Sequence, residues 1–501
     1  MKTFIIQAGG YGTRMGRLTS VKPKALIPID GKPIIFHLFD NNPNSKFIVI
    51  TDYHADVLIK YIRKYRPSVD VQFIISTEKS TAAGIPEAIK SVDGSFFVLW
   101  SDLLVKTEIQ EPNVNTIGIG VTTPQDKFLC RWSFRHQKLL KESANIGGVA
   151  GIFYFKDKKY LDSLDEKQSL TTFLSKVFVE SFDIKDIDDV GTEDRFYLLN
   201  KTNRFFNKLT FNKTTVQKEA IVDEYKKLIK DEIGWYEYLT TFNFDRMPKL
   251  ISKDPFIIQR LNGKNPFSYE PSEHFLNDVI NTINTIHNYE FINTDLEELR
   301  LVYLTKTLER VHEVSDLIPF FTDDFITING NKYKNPFSSN HIDEFKTQIE
   351  SLYNVKSFRL IHGDCTFSNM INVDEKCYLI DPRGYFGKNK LYGDPRYDWA
   401  KLYYSFVGNY DNVNSKKYSL EVAPNSVTYS IDANGWEKYE DSFFNAIPYT
   451  KEEIQLLHVL IWFSLCGYVK EDYSSVLLAF YNAVVLWNKL IKGDYINENR
   501  N

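Results

Sequence analysis

A chain of 501 residues is too long for one ordinary hydrophobic core, since single cores stop growing near about 250–300 residues, so at least two domains are expected. Its composition, 43% hydrophobic, 25% charged and 15% aromatic, is that of a folded globular protein and excludes a disordered one. A formal net charge of −4 provides no global basic field to gather nucleic acid or an anionic membrane, which points to small ligands.

The four cysteines, Cys130, Cys365, Cys377 and Cys466, contain no CxxC pair and fit neither a zinc site nor a disulfide framework. A cytoplasmic location is the simplest expectation. The opening residues run into a glycine turn without the long apolar stretch and cleavage site of a signal peptide, so they are expected to form a strand. Residues 454–469 and 475–491 are apolar but interrupted by Gln455, His458, Asn482 and Asn488, and fall short of the ~20 apolar residues of a membrane span. They are expected to be buried helices, with no membrane insertion; an oligomer is left open.

In chain order, residues 3–8, 46–51, 69–76 and 95–100 read as strands and 55–65 as an intervening helix. Short strands alternating with helices up to about residue 200 predict an α/β domain with a largely parallel sheet. The boundary falls near 200–206 without a linker rich in proline or glycine. Beyond it, 209–218 reads as a strand, 219–239 as a long helix, and most of 271–353 and 436–491 as helices. The chain has no internal repeat and no low-complexity tract.

Ala8-Gly9-Gly10-Tyr11-Gly12-Thr13-Arg14, followed by Lys22-Pro23-Lys24, is the strongest local signal. A glycine-rich turn after a buried strand lets backbone N–H groups approach phosphate oxygens that a β-carbon would obstruct. Arg14 and Lys24 supply fixed positive charge where a pyrophosphate would depart.

This stretch resembles the sugar-nucleotidyltransferase family, whose members join a nucleoside monophosphate from an NTP to a phosphate ester and release pyrophosphate. Further motifs follow in the family's order over residues 1–200: Ser80-Thr81-Ala82-Ala83-Gly84, Trp100-Ser101-Asp102-Leu103 and Asp189-Val190-Gly191-Thr192. The resemblance implies a Rossmann-like domain in which Gly9, Gly10, Gly12, Thr13, Thr81 and Gly84 bind the nucleotide and Asp102 and Asp189 hold Mg²⁺. Two carboxylates suit a hard cation that neutralises charge on the α-phosphate. Ser80 stands where many members carry Gly. Asp189 is chosen over Asp188 because it directly precedes Val-Gly-Thr, although a shift of one residue would place the liganding side chain on the other face.

The second signal is His362-Gly363-Asp364-Cys365-Thr366-Phe367-Ser368-Asn369, then Tyr378-Leu379-Ile380-Asp381-Pro382-Arg383-Gly384. An Asp and an Asn five positions apart, then an Asp closing an apolar strand, is the arrangement used in phosphoryl transfer from Mg·ATP. It resembles the aminoglycoside phosphotransferase and choline kinase family, and implies Asp364 as catalytic base with Asn369 and Asp381 as Mg²⁺ ligands. Upstream, Lys218 shares a strand face with Thr214 and Val216 and can reach ATP phosphates. Glu232 falls on a helical stripe with Ile221, Tyr225, Leu228 and Ile229, and a carboxylate buried there needs a partner such as Lys218. Glu237 is the runner-up. Asp398, in Gly393-Asp394-Pro395-Arg396-Tyr397-Asp398, reads as a support for the catalytic loop. No glycine-rich phosphate loop lies between Asn203 and Lys218.

The expectation is therefore an α/β nucleotidyltransferase-like domain over 1–200 followed by a bilobal kinase-like α+β domain over 205–495. As a bifunctional transferase, the chain would phosphorylate a small alcohol or sugar with ATP and couple the ester to a nucleotide from CTP or another NTP. The activated donor would serve surface-glycan assembly. A single active nucleotidyltransferase with a degenerate kinase-like module is the alternative, and a non-catalytic scaffold is a third reading.

Overall fold

The computed structural model of the protein describes residues 1–122, 130–142, 147–200 and 207–492. The expected boundary segment 201–206 and the expected end of the second domain, 493–495, lie outside the described residues. The chain divides into two units, Met1–Thr202 with Glu471–Tyr473, and Asn203–Lys470 with Ser474–Asn501.

In the first unit, β1 (Lys2–Gln7), β2 (Ser45–Thr51), α1 (Ala55–Tyr65), β3 (Val71–Ile75) and β4 (Phe96–Trp100) form the alternation read from the sequence. β5 (Leu103–Val105), β6 (Gly148–Phe155) and β7 (Ile187–Asp189) follow. The centre of a nine-stranded sheet runs β6-β4-β1-β2-β3, with β1 parallel to both β2 and β4 and β6 antiparallel to β4. Phe4, Ile5 and Ile6 are all buried, as a parallel strand covered on both faces requires. Phe4 stacks between Phe47 and Phe97 with ring centroids 5.5 and 5.2 Å away, pinning the three-strand register. α1 buries Leu58, Tyr61 and Ile62, one stripe at helical spacing. The chain leaves β1 and β4 at their carboxyl ends, where α/β sheets hold ligands.

The second unit begins with β8 (Asn207–Phe211), β9 (Thr215–Ala220), α2 (Lys226–Thr240), β10 (Leu250–Lys253) and β11 (Phe256–Gln259). These strands make a four-stranded antiparallel sheet in the order β8-β9-β11-β10. The expected single strand over 209–218 is instead a hairpin. The N–H of Asn212 donates to the Thr215 carbonyl at 2.9 Å, and Asn212 Nδ2 to Thr215 Oγ1 at 3.3 Å, so an Asn closes the turn that no glycine marks. The expected helix over 219–239 starts later, at Lys226, because β9 runs on to Ala220 in register with β8. Ile221, expected on its stripe, precedes the helix and is exposed.

Downstream come α3 (Glu273–His287), α4 (Lys306–Val314), β12 (Phe325–Ile328), β13 (Asn331–Lys334), β14 (Ser357–Leu360), β15 (Met370–Val373), β16 (Lys376–Leu379) and α5 (Pro395–Phe406). The stretch 271–353, read as mostly helical, is interrupted by the β12–β13 hairpin. Its turn is Asn329-Gly330, with φ of +48° and +78°, a two-residue hairpin signature. α6 (Lys451–Tyr468) opens with a capping box between Thr450 and Glu453 and buries both faces. Among the described residues, α7 (Tyr473–Lys492) is the one helix long and apolar enough to cross a membrane, and 78% of its most apolar stretch is buried within the protein.

Candidate active sites

A cavity of about 1340 Å³ in the first unit is bordered by the turn after β1 and by Ser101, Asp102 and Leu103 after β4. Gly9, Gly10 and Gly12 line it. A β-carbon on Gly10 would meet nothing within 4 Å, so the bare backbone borders the opening, whereas Gly12 has φ +65° and would press on Thr19 Cγ2 at 3.0 Å. Thr81 lines the cavity, and its Oγ1 accepts the Leu170 N–H at 3.0 Å. Thr13 and Gly84 are not among the lining residues. Gly84, at φ +70°, lies under β2, where a β-carbon would fall 2.7 Å from Ile50 Cγ2.

Pairing of β5 with β7 sets Asp189 opposite Leu103, the residue after Asp102. The Val190 N–H then donates to the Asp102 carbonyl at 2.8 Å. A β-carbon on Gly191 would lie 2.6 Å from Asp189 Oδ1, 3.0 Å from Asp102 Oδ2 and 3.4 Å from Arg14 Nη2, so three predicted side chains converge where only glycine fits. Lys24 Nζ donates to Asp102 Oδ2 at 2.8 Å. Asp188 pairs instead with Lys106 at 2.5 Å, which separates the two candidate aspartates. Gly191 makes room for this meeting, and its only sequence signal is its place within Asp189-Val190-Gly191-Thr192.

Asp189 borders the cavity with its side chain open to solvent at one edge, yet loss of hydration among the cavity walls, and then the charge of Asp102, raise its carboxyl above the usual aspartate range. A divalent cation would relieve that strain, and the hard oxygen donors fit Mg²⁺. Among the described residues no group of three or more His, Cys, Asp or Glu side chains could hold a metal alone. Asp102 and Asp189 would therefore bind Mg²⁺ together with phosphate oxygens or water. Because Asp189 keeps its proton to higher pH than a free aspartate, Mg²⁺ affinity should rise as pH rises through that elevated pKa, with proton release. Calorimetric titration of the Asp381→Asn chain in buffers of different ionisation enthalpy checks this; uptake without proton release removes Asp189 from the ligand set.

In the second unit, Lys218 of β9 is buried, with Nζ 2.5 Å from Glu232 Oε2 on α2 and 3.0 Å from Asp381 Oδ1. Burial opposes its charge, but Asp381 and Glu232 overcome that and raise its pKa. Glu237 pairs with Lys253. Asn369 Nδ2 donates to Asp364 Oδ2 at 2.7 Å, and the Ile380 N–H donates to the Asn369 carbonyl at 2.9 Å, bringing Asn369 beside the strand end that carries Asp381. Asp381 has φ +52°, an uncommon conformation for a residue with a β-carbon. Two carboxylates facing a single Lys218 ammonium leave negative charge at this point, which fits a divalent cation held by Asn369 and Asp381.

The loop bearing Asp364 is held from below. Asp398 accepts the His362 N–H at 2.9 Å and the Gly363 N–H at 2.7 Å, while His287 Nε2 donates to it at 3.0 Å. His362 Nε2 donates to the Ile380 carbonyl at 3.0 Å and Nδ1 accepts the Asp364 N–H at 3.2 Å, which fixes one neutral tautomer. Burial lowers its pKa and so favours that neutral ring, which orients the loop. Asp398→Ala would strand two buried N–H donors, and unfolding of the second unit should become easier by about 3 kcal/mol. Urea melts followed by tryptophan fluorescence test it; an unchanged midpoint contradicts the support role. The sequence also gave no hint of Lys401, whose Nζ lies 3.0 Å from Asp364 Oδ1.

Residues 3–114 match the family model described as Nucleotidyl transferase. The N-terminal unit carries a nucleotidyl transferase domain. The chain is similar to the mannose-1-phosphate guanyltransferase of Saccharomyces cerevisiae, 29% identical over 116 residues, which is 21% of this chain and 32% of that protein. The protein of the same name from Emericella nidulans is 32% identical over 120 residues, 22% of this chain and 33% of its own. The chain thus spans about a third of the length of these curated relatives. Among solved structures, HddC from Yersinia pseudotuberculosis complexed with GMP-PN is 23% identical, with 40% of this chain and 99% of that one covered and a TM-score of 0.35.

Proposed function

We propose that the protein makes an activated donor in two steps, as a cytoplasmic bifunctional enzyme. The C-terminal unit phosphorylates a small alcohol or sugar with ATP, and the nucleotidyl transferase domain joins the ester to a nucleoside monophosphate from an NTP, releasing pyrophosphate. The observation that carries the nucleotidyl step is the meeting of Asp102, Asp189 and Arg14 around Gly191, with Lys24 2.8 Å from Asp102.

The bare backbone at Gly10 lets the nucleotide phosphates approach closely, and Arg14 and Lys24 stabilise charge on the departing pyrophosphate. Mg²⁺ held by Asp102 and Asp189 would supply charge neutralisation at the reacting phosphate. The acceptor ester is already an anionic nucleophile, so no strong base is required and positioning supplies most of the rate. The guanyltransferase names of the relatives make GTP with a sugar phosphate the first pair to try, with CTP next.

For the second step, Lys218 would reach ATP phosphates while Glu232 holds it, and Asp364 would take the proton of the acceptor hydroxyl. The contacts of Lys218 with Glu232 and Asp381, and of Asn369 with Asp364, favour an active site over a degenerate module. Support for a role in surface-glycan assembly is the chemistry of the product alone. Pyrophosphate release from each NTP with a panel of phosphate esters and Mg²⁺ tests the reading: one preferred pair should react, and no release from any pair would contradict it.

A further inference from the structure

The loop that carries Asp364 packs against Arg383. Arg383 lies two residues beyond Asp381, and its N–H donates to the His362 carbonyl at 2.9 Å. A β-carbon on Gly363 would fall 3.0 Å from Arg383 Cβ, so the arginine runs along the loop that carries Asp364. Its guanidinium sits over the Tyr385 ring, 4.5 Å from the centroid, and Nη1 donates to Tyr397 Oη at 3.3 Å. Among the described residues it forms no ion pair. A guanidinium so enclosed ordinarily has a carboxylate or phosphate partner.

Two lysines feel its charge. Lys401 reaches Asp364 Oδ1 at 3.0 Å and lies over the rings of Tyr397 and Tyr404, 5.9 and 5.4 Å from their centroids. Lys306, at the start of α4, has no ion pair among the described residues, and burial and then the charges of Arg383 and Arg310 hold its pKa below the usual lysine value. Glu298, the larger of the two acidic influences on Lys306, already accepts the Lys388 N–H at 2.6 Å. A cationic amino alcohol placed against Arg383 would meet like charge.

We propose that the alcohol accepted at the C-terminal site carries an anionic group, a carboxylate or a phosphate, which Arg383 and Lys306 bind while its hydroxyl meets Asp364. The proposal rests on the phosphotransferase reading. In the step, the hydroxyl oxygen bonds to the γ-phosphorus of ATP, the bond from that phosphorus to ADP breaks, and the proton passes to Asp364. Lys401 bonds the other side of the same carboxylate from Asn369 and so fixes its orientation.

The test uses the full chain with Mg²⁺ and a saturating non-hydrolysable ATP analogue, titrated calorimetrically with glycerate, gluconate, glycerol 3-phosphate, glycerol and choline. At least one anion should bind ten times more tightly than glycerol or choline, and the pattern among the three separates a carboxylate from a phosphate preference. Arg383→Gln and Lys306→Gln should each weaken that binding about tenfold while nucleotide affinity is kept. If Arg383→Gln does not fold, the half-buried Lys306→Gln carries the comparison. Equal or tighter binding of choline, equal binding of glycerol, displacement of the anion by the ATP analogue, or unaltered affinity in the folded variants would each overturn the proposal. Anion binding without phosphoryl transfer from ATP would overturn the phosphotransferase reading alone, whereas phosphoryl transfer to choline in preference to the anions would overturn the anionic acceptor alone.

Discussion

Replacing Asp364 with Asn should lower ATP-dependent phosphorylation by about 10²–10⁴-fold, the range lost with a positioned general base, while leaving pyrophosphate release intact. The substitution keeps the size and the acceptor oxygen of the side chain but removes the negative charge that pairs with Lys401 at 3.0 Å. Its effect should therefore appear in kcat more than in the midpoint of unfolding. The proposed nucleotidyl site is built wholly from the first unit, from Gln7 to Arg195 along the chain, so nothing in its wall depends on Asp364. Both activities are to be measured on one folded preparation; parallel loss of the two would contradict separate sites.

Asp102→Asn should cut pyrophosphate release at least about a hundredfold, the scale lost when a principal charge-stabilising group is removed. Two effects combine in that variant. A formally charged oxygen donor to Mg²⁺ disappears, and Lys24 loses the carboxylate it meets at 2.8 Å. Removing the Asp102 charge also relieves Asp189, whose carboxyl should titrate closer to an ordinary aspartate. Steady-state pyrophosphate assays with carbonyl NMR of Asp189 separate the two effects. Wild-type turnover in the folded variant would rule Asp102 out as a metal ligand.

Much of this arrangement is written locally. The run Phe4-Ile5-Ile6 before Gly9-Gly10 marks a buried parallel strand with a bare-backbone turn, because a short apolar run ending on a glycine turn suits a strand covered on both faces. Lys218 and Glu232 are 14 residues apart, and the need of a buried carboxylate for a partner was enough to pair them. Asp364 and Asn369 belong to one loop, so their spacing carries their contact.

What stayed hidden depends on residues distant in sequence or on turns with little signature. The β8–β9 hairpin turns on Asn-Lys-Thr without glycine, so its two strands read as one. Asn329-Gly330 carries a two-residue hairpin signature, but it sits between helical stretches whose periodicity masks the short strands on either side. Asp188 and Asp189 differ only in which face of β7 they occupy, and the register with β5 decides it. Lys401 is three residues past Asp398 on α5, yet it contacts Asp364, 37 residues earlier in the chain (401 − 364), a contact that no local pattern reports.

Joining the two units in one chain keeps them at fixed stoichiometry and high local concentration, which matters if one makes what the other consumes. The decisive measurement supplies an unphosphorylated acceptor, ATP, the preferred NTP and Mg²⁺ to wild type, Asp364→Asn and Asp102→Asn, and follows the phosphorylated acceptor and the nucleotide-linked product by mass spectrometry. Wild type should form the nucleotide-linked product, Asp102→Asn should accumulate the phosphorylated acceptor, and Asp364→Asn should form neither until that ester is added. If adding the ester failed to restore product in Asp364→Asn and no ester accumulated in Asp102→Asn, the two units would act on unrelated acceptors and the two-step account would be contradicted.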